Sequence, residues 1–345
     1  MAERRWRTSD FDYDLPDDLI AQTPSETRGA SRLLVLDRLT GRCADRDFDA
    51  LLELIPAGDL LVLNSTRVRH ARFLGTRAGG GDAEVLLLHP IDGERWLAMG
   101  RPGRALRVGR IVHLDDTAGI ETLAVRDDGF REVRFVGGQA SELIDRFGRL
   151  PLPPYITREP DATDDDRYQT VFAERIGSVA APTAGLHFTE ALLSRLTERG
   201  VEIAALDLEV GPGTFRPIEH DDPAEHPMHE ERYEIPEALA SAVAGARQRS
   251  AGIWAVGTTV VRALESAADQ AGSLRPGPAS TRLMIVPGHT FRLVDHLITN
   301  FHLPRSTLLM LVSAFAGHEH IMQAYQHAVA ERYRFYSYGD AMCII

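Results

Sequence analysis

The 345-residue chain has room for one large or two ordinary domains, and 44% apolar and 26% charged residues are proportions of a globular protein. Its formal net charge is −12 and it holds no lysine, so all 38 basic residues are arginine. That excludes Schiff-base and P-loop-lysine chemistry and argues against a generic nucleic-acid binder. No apolar run approaches the roughly 20 residues of a membrane span. The charged opening, Met1 to Asp10, predicts no secretory signal and a cytoplasmic protein. Cys43 and Cys343 suffice for neither a disulfide framework nor a metal cluster.

In chain order, residues 32–37 and 59–64 read as strands, the second running into Asn64-Ser65-Thr66-Arg67-Val68. The pattern then changes. Short alternating runs at 71–76, 84–89, 96–99, 111–114, 121–126 and 132–135 are separated by Gly- and Asp-containing turns, which predicts a small antiparallel barrel. This stretch, 66–150, carries 14 Arg against 12 acidic residues, whereas the remainder carries 24 against 38. Arg67, Arg69 and Arg72 form one basic cluster, and Arg101, Arg104, Arg107 and Arg110 another. Charge alone leaves a phosphate-binding surface and a solvated face equally open.

Pro151, Pro153 and Pro154 mark a rigid connection, and 158–166 reads as a polar, acidic loop. Helices at 190–199, 237–248, 260–268 and 306–316 then alternate with strands at 201–210, 253–256 and 282–286. The fold class is therefore α/β. Residues 1–65 and 151–345 are expected to form a larger α/β domain from two chain segments, with 66–150 as the inserted β-barrel.

Five polar turns stand out. Ala180-Ala181-Pro182-Thr183-Ala184-Gly185-Leu186-His187-Phe188 precedes a helix capped by Thr189, with Leu192, Leu193 and Leu196 facing inward and Gly200 closing it. Its small residues let a backbone approach a ligand, yet a tight strand-to-helix connection would look the same. Gly211-Pro212-Gly213-Thr214-Phe215 follows a strand, but it lacks a third glycine and meets Pro217, which excludes a dinucleotide loop. His226-Pro227-Met228-His229-Glu230-Glu231 pairs imidazoles with carboxylates without metal-type spacing, leaving acid–base work and a structural role open. Gly257-Thr258-Thr259 suits an anion at a helix N-terminus as well as a simple cap. Thr299, Asn300 and His302 project just before a helix that is apolar on every side.

These segments, with Leu63 to Val68, Leu150-Pro151-Leu152-Pro153-Pro154-Tyr155-Ile156, Tyr168-Gln169-Thr170-Val171-Phe172 and Tyr333 to Met342, run in order along nearly the whole chain. Together they resemble the S-adenosylmethionine:tRNA ribosyltransferase-isomerase family of queuosine biosynthesis. The resemblance implies an α/β domain carrying a small inserted β-barrel. It implies transfer and isomerisation of the ribosyl unit of S-adenosylmethionine onto 7-aminomethyl-7-deazaguanine at the tRNA wobble position. Adenine and methionine would leave and epoxyqueuosine-tRNA would form. S-adenosylmethionine would be a consumed co-substrate, with no cofactor, no metal and no membrane partner, and the protein a cytoplasmic monomer.

That chemistry needs a base beside the sulfonium carbon, an acid for departing adenine, and donors for the methionine carboxylate. The expected proton-transfer residues are His187 and His229, with Glu230, Glu231 and Asp295 as alternatives. Thr183, Gly185, Gly211, Gly213, Thr214, Thr258, Thr299 and Asn300 are expected to hold S-adenosylmethionine. Arg67, Arg69, Arg101 and Arg104 are expected to meet tRNA phosphates. The lysine-free, acidic chain leaves two alternatives: a related S-adenosylmethionine-consuming enzyme acting on a free nucleoside, and a non-catalytic RNA-binding module.

Overall fold

The computed structural model describes residues 5–211, 218 and 220–345. The chain opens with β1 (Arg32–Leu36), β2 (Cys43–Asp47), the short helix α1 (Leu51–Leu54) and β3 (Leu60–Asn64). A three-residue strand, β4 (Thr66–Val68), leads into β5 (Arg72–Arg77), β6 (Asp82–Pro90), β7 (Arg95–Arg101), β8 (Ile111–His113), β9 (Gly119–Val125) and β10 (Arg131–Val136). These six strands close into a barrel in the order β10-β7-β6-β5-β8-β9, every pair antiparallel. The six alternating runs of the sequence are its staves. Phe73, Val85, Leu87, Ala98, Val112, Ile120 and Val133 fill its interior.

Helices α2 (Ala140–Phe147) and α3 (Ala162–Arg167) and strand β11 (Arg175–Ser178) follow, β11 pairing with β4. The stretch expected as an acidic loop is thus partly helical. Its organiser is Asp164, which is fully buried and accepts from both terminal nitrogens of Arg158 at 2.6 and 2.7 Å and from the Tyr338 hydroxyl at 2.6 Å. Burial alone would raise the Asp164 pKa, but the bonds from Arg158 and Tyr338 outweigh it and hold the carboxyl low.

The rest of the chain alternates: α4 (Glu190–Glu198), β12 (Glu202–Leu208), β13 (Glu231–Ile235), α5 (Glu237–Gln248), β14 (Ile253–Val256), α6 (Thr258–Ala267), β15 (Gly277–Thr281), β16 (His296–Asn300), α7 (Thr307–Ala316), α8 (His318–Ala330) and β17 (Ala341–Ile344). Nine strands from both sides of the barrel segment form one mixed sheet, β15-β13-β12-β3-β14-β16-β17-β1-β2. At its centre β12, β3, β14 and β16 are parallel. Their near-continuous apolar runs reflect burial on both faces.

The two-residue period sorts those runs between two cores. Leu60, Val62, Ile253, Ala255 and Leu297 face α5, α6, α7 and α8, whereas Leu61, Leu63, Trp254, Val256 and Ile298 face α1 and α4. Helix α4 starts as the sequence implies, with the Thr189 hydroxyl accepting from Leu192 N at 3.1 Å. One expected strand fails. Residues 282–286 run on from β15 without a ladder, and the Leu283 carbonyl accepts instead from Arg262 Nε at 2.9 Å.

Candidate active site

The parallel strands β14 and β16 end at one edge of the sheet, and a cleft opens there. It holds about 530 Å³ of unfilled space, part of it open to solvent. Strand ends of this kind are where α/β sheets bind ligands. Thr183 and Ala184 line it from a short 3-10 turn, Gly257, Thr258 and Thr259 from the start of α6, and Thr299 to Leu303 from the end of β16. Tyr155, Tyr336 and Ser337 close the remaining side. Among the described residues, no Asp, Glu or Arg lines this cleft. The described lining is polar through hydroxyls, the Asn300 amide, the His302 imidazole and backbone.

The turn into α6 needs Gly257, whose φ of 94° is a conformation side chains resist. Its cap residue is a glycine and no side-chain cap bond is made among the described residues, so the first backbone N–H groups are available to an anion, with the helix dipole behind them. On the β16 side, His302 Nε2 lies 2.9 Å from Thr299 Oγ1. The His302 backbone is clamped: its N–H donates to the Tyr325 hydroxyl at 2.9 Å, and its carbonyl accepts from the Tyr13 hydroxyl at 2.6 Å. Burial pushes the His302 pKa down to about 3, so the imidazole is neutral at pH 7.

Asn300 Nδ2 donates to the Tyr336 carbonyl at 3.0 Å and meets His187 Nε2 at 3.1 Å. His187 Nδ1 in turn lies 2.7 Å from Ser31 Oγ. His187 is buried behind the cleft rather than lining it, and desolvation lowers its pKa to about 4. Tyr336 sits at φ 71°, an outlier for a bulky residue. Its ring packs against Tyr155 with centroids 4.6 Å apart, and the Tyr155 hydroxyl pairs with Ser337 Oγ at 2.6 Å.

The family described as queuosine biosynthesis protein matches residues 8–344. The chain belongs to this family. Among curated members, an S-adenosylmethionine:tRNA ribosyltransferase-isomerase of Anaeromyxobacter dehalogenans (strain 2CP-C) is 53% identical, covering 98% of this chain and 99% of its own. The protein of that name from Symbiobacterium thermophilum is 51% identical over 98% of this chain and 100% of its own. The crystal structure of an S-adenosylmethionine tRNA ribosyltransferase from Thermotoga maritima is 37% identical, with a TM-score of 0.57 over 98% of this chain and 100% of that one.

Within this queuosine-family fold the cleft gathers four of the residues expected from sequence: Thr183, Thr258, Thr299 and Asn300. Others lie elsewhere. Gly185 is buried, and a Cβ there would press within 2.8 Å of the Phe172 ring and the Thr170 methyl, so packing accounts for the glycine. Gly211 is half-buried next to the cleft residue Val210, its N–H 3.4 Å from Glu231 Oε1; Gly213 and Thr214 lie outside the described residues. Glu231 is buried in an ion pair with Arg262. Glu230 is exposed and pairs with Arg282 at 2.9 Å. His229 packs its ring on Phe130 of the barrel, 5.5 Å between centroids.

Asp295 sits at the opposite end of β16 from Asn300, about 16 Å away along the strand. There it accepts from Ile253 N at 2.9 Å and Arg247 at 2.8 Å. Of the arginines, Arg67, Arg101 and Arg104 are exposed. Arg101 is tied to Glu84 at 3.0 Å, and Arg69 stacks on the Trp96 ring at 4.8 Å. The cleft also holds residues absent from the expected set: Tyr155, Thr259, His302 and Tyr336. The signal for the tyrosines was their place in the Pro-Pro-Tyr-Ile and Phe-Tyr-Ser-Tyr runs.

Proposed function

We infer that the chain is an S-adenosylmethionine:tRNA ribosyltransferase-isomerase that consumes S-adenosylmethionine in this cleft. Its acceptor is the 7-aminomethyl-7-deazaguanine of tRNA, and adenine and methionine are its leaving groups. The observation that carries the reading is a cleft that, among the described residues, has no charged side chain and pairs an uncapped helix N-terminus with a tyrosine wall, in a chain of this family. The methionine carboxylate suits the α6 N-terminus with Thr258 and Thr259. The sulfonium suits the faces of Tyr155 and Tyr336, since quaternary cations are held by aromatic rings.

Among the described residues His302 is the imidazole lining the cleft, and it replaces His187 as the candidate for proton transfer. An imidazolium formed in so apolar a place is a strong acid, fit to return its proton to departing adenine. The exposed Arg67 and Arg104, on β4 and beside the barrel, are the arginines best placed to meet tRNA phosphates.

The test is incubation of the purified protein with S-adenosylmethionine and tRNA bearing the 7-aminomethyl base, following adenine release and nucleoside mass. Release that requires this tRNA supports the reading. Release with the free nucleoside replaces the acceptor, and tRNA retention without turnover replaces the enzyme by a binding module.

A further inference from the structure

The amide of Asn300 has only one orientation open to it. Turned over, its oxygen would face the Tyr336 carbonyl, oxygen on oxygen at 3.0 Å, so Nδ2 must be the group that donates there. The Tyr336 carbonyl is itself fixed, because it also accepts from Gly339 N at 2.9 Å. With Nδ2 so placed, its second hydrogen points to His187 Nε2, which must accept it. The His187 proton therefore resides on Nδ1 and is donated to Ser31 Oγ at 2.7 Å. Both imidazole nitrogens are then committed, in agreement with the lowered His187 pKa.

The consequence falls on the other end of the amide. Asn300 is 2% exposed, it lines the cleft, and its Oδ1 has no partner among the described residues. A buried amide oxygen without a partner is costly, and in native proteins such groups mark sites that a ligand completes.

We propose that Asn300 Oδ1 is a dedicated hydrogen-bond acceptor for one N–H or O–H donor of the bound small molecule, and that His187, in its Nδ1–H form, is the positioning residue that holds it so. This rests on the cleft being the S-adenosylmethionine site. His187 does no proton transfer to substrate; it makes the cleft read a donor at this point and reject a ligand that offers an acceptor or nothing. A site with a buried polar group discriminates strongly against an analogue that leaves the group unpaired.

The probe is S-adenosylmethionine itself, with analogues lacking in turn the 2′-hydroxyl, the 3′-hydroxyl, the exocyclic amine and the α-ammonium. Binding is measured by calorimetry to the full chain. One analogue should bind the wild type about tenfold to a hundredfold more weakly, and the same analogue should lose nothing further with Asn300→Leu. His187→Leu should weaken S-adenosylmethionine similarly, while His187→Gln, whose amide oxygen accepts in place of Nε2, should restore it to within a few-fold. Imidazole ¹⁵N shifts of the wild type should show the Nδ1–H tautomer at neutral pH, a readout independent of whether a variant folds.

An Nε2–H tautomer overturns the proposal, as does wild-type binding indifferent to every deleted donor. Equal losses in His187→Gln and His187→Leu overturn it too. Failure of the wild type to bind S-adenosylmethionine at all instead refutes the assignment of the cleft.

Discussion

The two ends of the central parallel strands both carry buried and half-buried polar groups, and they use them in opposite ways. At the starting end, Asp59 accepts from Gly252 N and Trp254 Nε1, each at 2.8 Å, and Asp295 accepts from Ile253 N and Arg247. Those carboxylates are closed: their bonds tie the strand starts to one another and, through Arg247, to α5. Only His296 Nδ1 is left without a partner among the described residues there, its ring stacked on Trp254 at 4.2 Å. At the finishing end the polar groups are held firmly on one side and left open on the other. Asn300 spends both amide hydrogens and keeps its oxygen, α6 keeps its N–H groups, and Tyr336 bears backbone strain. Closed valences hold the sheet, and open ones wait for a ligand.

The largest effect that would break this contrast is on rate. His302→Ala should lower adenine release per folded molecule by at least about a hundredfold, the size of a lost acid–base group. Near-normal turnover would remove His302 from the chemistry. Next comes Asp59→Ala, which strands the buried Trp254 Nε1–H and Gly252 N–H. It should cost roughly 2–3 kcal/mol in denaturant unfolding, with turnover of the folded fraction within about twofold of wild type. A large rate loss from Asp59→Ala would mean that the starting end also serves the reaction.

The contrast explains what was legible beforehand. Alternation of apolar residues marked the barrel strands and an unbroken apolar run marked β14, because burial on one or both faces writes itself into the sequence. Thr183, Thr258, Thr299 and Asn300 were legible as polar residues at element ends. Whether a polar residue is open or closed is another matter, since its partners lie far off in the chain. Ser31 and Asn300 take up the His187 nitrogens from 156 and 113 residues away, and Arg247 takes up Asp295 from 48. His187 and Asp295 were therefore expected to transfer protons, while His302, noted only as a polar residue before α7, was not. The short β16 and β17 were hidden for the same reason: β17 pairs with β1 at the other end of the chain and with β16, some forty residues before it.

A smaller effect sharpens the same point through pH. His187 and His302 have pKa values lowered to about 4 and about 3, mainly by desolvation, against about 6.5 when unfolded. Above pH 6.5 both states are neutral at these positions and contribute no pH dependence. As pH falls below 6.5 the unfolded chain takes up protons that the folded one refuses, so stability declines toward pH 4. Each proton contributes about 1.4 kcal/mol per pH unit. Urea midpoints between pH 7.5 and 5 measure the slope, and His187→Gln should remove the share of one proton. An unchanged slope in that variant would show that His187 titrates normally in the folded protein.

The smallest effect carries the distinction out to the barrel. Arg101 and Arg104 are both exposed and three residues apart, yet Glu84 closes the charge of Arg101 while Arg104 has no ion pair among the described residues. On the proposed tRNA contact, a phosphate would compete with Glu84 for Arg101 but meet an Arg104 that has no such partner among the described residues. Arg104→Ala should therefore weaken tRNA binding a few-fold and lower the slope of log affinity against log salt by about one. Arg101→Ala should change less, because the ion pair it breaks is exposed and worth little. Neither should alter S-adenosylmethionine binding in the cleft. Equal salt slopes for the two variants would mean that tRNA strips Glu84 from Arg101, and that a surface ion pair does not close a valence as the buried bonds of Asp59 do.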